Sequence, residues 1–271
     1  MGYLIYLLHD DAFAWDRATA FLSDLPYFYY FLLPVLSIAS WLIESYKWQW
    51  LVRDLRWLRF RESVIHNLTS QATSFITPLR AGEYATKAFY FETSLRPKVL
   101  KAVLVGNLSQ MTVTVLLGTA GALLLFYNAI AALIFLATSV LLLIIGSPVF
   151  ARWMAFKAIR LDGVTGISLV RYLMFSSGWW VLLSLVSDAP AVLITSCIAT
   201  MYLASSMIPS LQVFDVFLKW SIASFFIGYL DISLESMTAL VAVLWLNNTV
   251  LPVVLGCGLL AVQKFPKLAT A

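Results

Sequence analysis

The sequence predicts an all-α, polytopic transmembrane helix bundle with two broken-helix hairpins arranged as an inverted repeat. Three observations predict it. Hydrophobic residues are 61% of the 271 and charged residues 12%, with a mean hydropathy of +0.87, whereas soluble domains carry about 25% charge. Apolar runs of the roughly 20 residues needed to cross a bilayer recur along the chain. Two membrane-depth stretches are interrupted by proline and followed by charged residues. A bilayer tolerates that mixture only where broken backbone faces protein, water or a ligand.

In order, residues 1–8 are apolar but too short to span. No cation precedes them and acids follow, unlike a signal peptide. Residues 12–25 read as an amphipathic interfacial helix, so 1–26 is expected to be an extracytoplasmic interfacial segment. The transmembrane domain covers 27–262 and opens with a span at 27–46, followed by a loop at 47–61 rich in cations and Trp. Residues 63–78 are too polar to face lipid: Asn67, Gln71 and Ser74 recur at helical spacing and make one polar face. Thr77 is the expected N-cap of a second short helix with Pro78 at its first position. The two pieces form a hairpin, re-entrant or fully crossing. Spans at 99–127 and 129–146 follow, the first with a small-residue contact face at Gly118 and Ala122. After a polar connection with Arg152, Lys157 and Arg160 come spans at 167–187 and 190–208. Pro209 and Ser210 interrupt the chain, 211–229 continues it, and a last span covers 237–262 before a cytoplasmic tail at 263–271.

Cation placement sets orientation. Five Lys and Arg lie at 47–61, three at 96–101, three at 152–160 and two at 264–267, so thirteen of the 18 fall on one face if the first hairpin enters and leaves on the same side. That face is expected to be cytoplasmic, in a cytoplasmic (inner) membrane, with the N-terminus outside and the C-terminus inside. The formal charge of +4 and pI near 9.0 therefore reflect topology, and no nucleic-acid partner is expected. His9 and His66 lack Cys or acidic neighbours at metal-ligand spacing, and Cys197 and Cys257 read as buried thiols. No P-loop, dinucleotide fingerprint or nucleophile elbow occurs, so no metal, cofactor or enzymatic activity is expected.

The cations within membrane segments carry the functional reading. Arg80, Glu83 and Lys87 sit at i, i+3 and i+7, and Gln212, Asp215 and Lys219 repeat that spacing after the second break. Asn107 and Gln110 are answered by Asn247 and Asn248. The flanking spans run in opposite directions, as in transporters built from inverted repeats. Each break aims a helix N-terminus into the membrane, where free N–H groups favour an anion. Arg80 can hold a phosphate bidentately, and Glu83 should pair with Lys87 or Arg80. The competing reading makes the prolines simple kinks, the charges structural ion pairs, and the amides interhelical contacts. Arg171 reads as an interface anchor, and the Trp and Phe stripes as belt and packing residues.

The tract ITPLRAGEYATKAFYF resembles the P-x-R-x-G-E-x-x-x-[RK] signature of the lysylphosphatidylglycerol synthase membrane-domain family, which includes stand-alone flippase-like proteins. WLIESYKWQWLVRDL looks like that family's first span end, and ASSMIPSLQVFDVF like its second motif. Ser210 and Gln212 stand where the family tends to have glycine, and Asp215 where it has Glu. The resemblance covers residues 27–262 and implies Pro78, Arg80, Gly82, Glu83 and Lys87, with Pro209 and Asp215 more loosely, as functional positions. No aminoacyl-transfer domain follows residue 262, so what it implies is translocation or binding of an anionic lipid or lipid-linked headgroup, not lysyl transfer. Pro78, Arg80, Gly82, Glu83, Lys87, Asn107, Gln110, Asp215, Lys219 and Asn247 are the expected substrate-binding set. The expected partner is a membrane lipid, with a homodimer or an envelope-lipid biosynthetic enzyme as possible protein partners. A non-transporting scaffold for such an enzyme is the alternative function.

Overall fold

The computed structural model describes residues 19–20, 23–153 and 161–262. The tail at 263–271, most of the interfacial segment expected at 12–25, and Lys157 and Arg160 lie outside the described residues. Among the described residues the chain is helical, with no strand. The helices are α1 Tyr27–Val52, α2 Phe60–Phe75, α3 Ala81–Phe89, α4 Arg96–Phe126, α5 Ala129–Trp153, α6 Leu161–Val186, α7 Ala191–Met207, α8 Asp215–Ser224, α9 Ile227–Leu230, α10 Leu234–Trp245 and α11 Leu251–Val262. Five helical segments are long and apolar enough to cross a membrane: α1, α4 with the turn before it, α5, α6, and α10 through α11. The last is continuous through one π turn, Leu246–Val250. Pro252 has no N–H to give the Asn248 carbonyl, and the ladder shifts so that Leu251 N–H reaches Leu246 instead.

The arms of the two hairpins are shorter than a bilayer is thick. At 1.5 Å per residue, α2 is about 24 Å long and α3 about 13 Å, and the chain folds back so that they pack on each other. α7 and α8 form the second pair. The expected continuation at 211–229 is in fact a 3₁₀ turn, α8 and the short α9.

The halves are reciprocal. α1 packs on α6; α4 packs on α7, the first arm of the second hairpin; α11 packs on α2, the first arm of the first. Both crossings run backbone to backbone on glycine. A Cβ at Gly118 of α4 would overlap Leu203 of α7, and one at Gly256 of α11 would overlap the Leu68 carbonyl of α2. Such close approach is how helices associate where burial of apolar surface gives no drive.

Two apolar cores form at opposite ends. One gathers Trp48, Leu51, Val52, Phe91, Val99 and Val103 around the base of the first hairpin. The other gathers Leu33, Leu182, Leu183, Cys197, Trp220 and Leu240 around the second. α5 is the most apolar span and buries the least of itself, as suits a lipid-facing helix. Cys197 is buried as expected; Cys257, expected buried, is exposed on α11.

Candidate functional site

Both breaks begin with the same steric rule: the residue before proline is pushed out of the helical region. Thr77 takes φ −100°, ψ 138°, and Ile208 φ −100°, ψ 110°. At the first break Leu79 and Arg80 then adopt left-handed φ of 51° and 57°, which costs about 1–3 kcal/mol per residue. Local bonds offset this. Gly82 N–H donates to Thr77 Oγ1 at 2.8 Å, so Thr77 caps α3 across the turn. The Thr73 hydroxyl lies 3.0 Å from the Gly82 carbonyl and 2.8 Å from Thr86 Oγ1. A Cβ on Gly82 would collide with the Thr73 carbonyl. Pro78 and Gly82 thus shape the turn.

The turn delivers Glu83 into the bundle, 4% exposed. Its Oε1 lies 2.8 Å from Lys87 Nζ and its Oε2 3.1 Å from an Arg80 guanidinium nitrogen. This is the pairing expected from the i, i+3, i+7 spacing. Lys87 is buried over the Trp48 ring, 4.5 Å from its centroid. Asn107 of α4 approaches Glu83 Oε2 at 3.5 Å and the Tyr84 hydroxyl at 3.3 Å. His66 is a packing residue. It stacks on Tyr90 at 3.9 Å and accepts from the Trp48 indole at 3.4 Å.

A second charged group stands beside the first, and here two expectations are corrected. α1 does not end at 46; it continues to Val52, so Lys47 belongs to the helix and not to a cytoplasmic loop. Lys47 is 1% exposed and lies 2.7 Å from Glu44, one turn earlier. Arg171 is not an interface anchor. α6 starts at Leu161, which puts Arg171 well inside it, 3.3 Å from Glu44 and 3.4 Å from Gln110 Oε1. Its guanidinium also lies over Trp41.

Between the two apolar cores Glu44, Arg80, Glu83 and Arg171 line a cavity of about 650 Å³, with Lys47 and Lys87 outside its lining; the volume is within the range of ligand pockets. Its walls come from the middles of α1, α4 and α6, which places it at mid-height. Of the expected residues, Arg80, Glu83, Asn107, Gln110, Asp215 and Lys219 line it; Pro78, Gly82, Lys87 and Asn247 do not. Asn247 turns its amide back onto the Val243 carbonyl at 2.9 Å, and its own carbonyl accepts from Ser37 at 2.6 Å. Its neighbours Asn248 and Thr249 face the cavity instead. Asp215 and Lys219 form their own pair at 2.7 Å.

Trp41, Phe175, Trp179, Tyr202 and Trp245 also line the cavity. These are not belt residues, because they sit at mid-height. Four lining N–H donors are buried without a hydrogen-bond partner: Arg80 Nε, Gln110 Nε2, Arg171 Nε and Trp245 Nε1. Each such group costs about 1–3 kcal/mol unless a ligand or water satisfies it. Beside the first hairpin, four cations (Lys47, Arg80, Lys87 and, from α6, Arg171) meet two carboxylates, Glu44 and Glu83. Among the described residues no cluster of His, Cys, Asp and Glu has the makings of a metal site.

No protein-family model, no characterised protein and no solved structure matches this chain.

Proposed function

We propose that this membrane protein binds an anionic lipid or lipid-linked headgroup in the mid-height cavity and moves it between leaflets. The observation that carries the reading is the cluster in which Lys47, Arg80, Lys87 and Arg171 meet only Glu44 and Glu83, with Arg80 and Arg171 opening onto a space lined by unsatisfied N–H donors and Lys47 and Lys87 set behind its wall. Removing charge from water at membrane depth is costly, and a phosphate would both balance the cluster and accept from its donors. Arg80 and Arg171 hold the headgroup. Glu83 and Glu44, which line the same space, orient them through their ion pairs. Asp215 and Lys219 face the same space from the second hairpin.

The resemblance of the Pro78–Lys87 tract to the lysylphosphatidylglycerol synthase membrane-domain family supports the same reading. So does the reciprocal packing of the halves, which suits alternating exposure of a central site. The cation distribution supports a cytoplasmic membrane with the N-terminus outside and the C-terminus in the cytoplasm.

The test is lipid translocation by the purified protein in vesicles containing a labelled anionic lipid. Arg80→Ala and Arg171→Ala are expected to slow translocation at least about tenfold, the loss of one charge-assisted contact of roughly 1.5–3 kcal/mol. Unchanged rates in both variants would overturn the proposal. Absence of movement by the wild type, with stable co-purification of an envelope-lipid enzyme, would favour the scaffold instead.

A further inference from the structure

The cavity has a second chemistry that a phosphate alone does not use. Trp41, Phe175, Trp179, Tyr202 and Trp245 bring apolar ring surface to the same space as the cations. Phe175 and Tyr202 meet edge to face at 4.8 Å, forming a continuous wall across α6 and α7. Trp245 presents an indole N–H that is buried with no partner in the protein. Trp and Tyr at such depth ordinarily find one.

The cationic part is compact by comparison. Asn107 and Gln110, which touch the Glu83 and Arg171 groups, are three residues apart on α4, a rise of about 4.5 Å. One phosphate at that face leaves most of the 650 Å³ to the aromatic side. The polar groups beyond that face are of both kinds: they include amide and indole donors at Asn248 and Trp245, hydroxyls at Ser205 and Thr249, and the paired Asp215 and Lys219. An extended acyl chain offers nothing to such groups. A glycerol unit offers hydroxyls but no apolar face for the rings.

We propose that the headgroup bound here is a glycosyl phosphate: a phosphate held by the two arginines, with an attached sugar ring lying on the aromatic wall. This deepens the anionic-headgroup reading and rests on it. A pyranose has apolar C–H faces to set against the Trp and Tyr rings. Its hydroxyl rim both donates and accepts, which matches the mixed lining and gives Trp245 Nε1 its missing acceptor.

The test is calorimetric titration of the full-length protein in lipid nanodiscs with four soluble probes: glucose 1-phosphate, glycerol 3-phosphate, phosphocholine and inorganic phosphate. Glucose 1-phosphate is expected to bind at least tenfold tighter than each of the others. Trp245→Phe, which keeps a ring and removes only the donor, is expected to weaken glucose 1-phosphate about threefold to tenfold, the worth of one hydrogen bond, and to leave the other three unchanged. Arg171→Gln is expected to weaken all phosphates alike. Equal binding of the phosphates would overturn the sugar assignment while leaving the anion site standing. Tightest binding of phosphocholine would overturn it in favour of an aromatic ammonium cage. No binding of any probe would overturn both readings.

Discussion

At Pro78 the chain turns on two left-handed residues, locked by a threonine and glycine network, and plants a buried carboxylate between two cations. At Pro209 it turns with ordinary backbone angles into a 3₁₀ turn. The charges it presents, Asp215 and Lys219, are each about one-fifth exposed and pair with each other. The two breaks share a steric cause and differ in the structure built on it. The first hairpin invests strain and desolvation in fixed geometry, a pattern that belongs to binding sites. The second leans on apolar packing of Trp220 and Ala223.

Charge removal should divide them most. Glu83→Gln leaves Arg80 and Lys87 without their carboxylate at a buried position, and breaking such a pair costs about 3–5 kcal/mol. Asp215→Asn, at a partly exposed pair, should cost about 1 kcal/mol or less. Thermal unfolding of the two variants in detergent reads the difference directly. Equal shifts would mean that the second pair is as strongly desolvated as the first, and the contrast would fall.

Glycine comes next. Gly82→Ala forces a Cβ onto the Thr73 carbonyl, and overpacking of this kind costs about 1–3 kcal/mol. Gly228 of α9 has nothing within 4 Å of a built Cβ, so Gly228→Ala should be neutral or stabilise by about 0.5–1 kcal/mol through helix propensity. If Gly82→Ala unfolds at the wild-type temperature, the first turn is looser than its hydrogen bonds imply.

Much of the first hairpin was legible because its signals are local. A proline dictates the residue before it, and i, i+3, i+7 spacing puts Arg80, Glu83 and Lys87 together whatever surrounds them. Asn107 and Gln110 were legible as polar residues in an apolar span. Glu44, Lys47 and Arg171 were not. Lys47 is followed by Trp48 and Trp50, the usual look of a juxtamembrane end, and Arg171 comes soon after a short polar connection. Their roles depend on α1 packing against α6, which no local pattern encodes. The i, i+3 spacing of Glu44 and Lys47 was the one available signal, since a buried acid and base one turn apart stabilise each other and let a helix continue inward. The cavity aromatics were hidden for a related reason: a Trp at mid-height and a Trp at the interface look alike until helix ends are known.

The smallest effect concerns the bond that joins the hairpins. The one hydroxyl proton of Ser74, near the end of α2, is shared between the Gln71 carbonyl at 3.0 Å and Gln212 Oε1 at 3.2 Å in the turn after Pro209. Leu79, Met207 and Ile208 line the cavity near these two break points. A neutral hydrogen bond of this kind is worth about 0.5–1.5 kcal/mol, so Ser74→Ala and Gln212→Ala should each change stability little. Their double-mutant cycle should return a coupling in that same range. If turnover requires the hairpins to separate, the bond must break first. Each single variant should then raise the translocation rate by up to about tenfold, and the double variant should raise it no further, while probe affinity stays unchanged in Ser74→Ala, a position outside the cavity lining. If the hairpins remain docked throughout, the rates of all three variants will equal that of the wild type, and access to the cavity must come from movement elsewhere in the bundle.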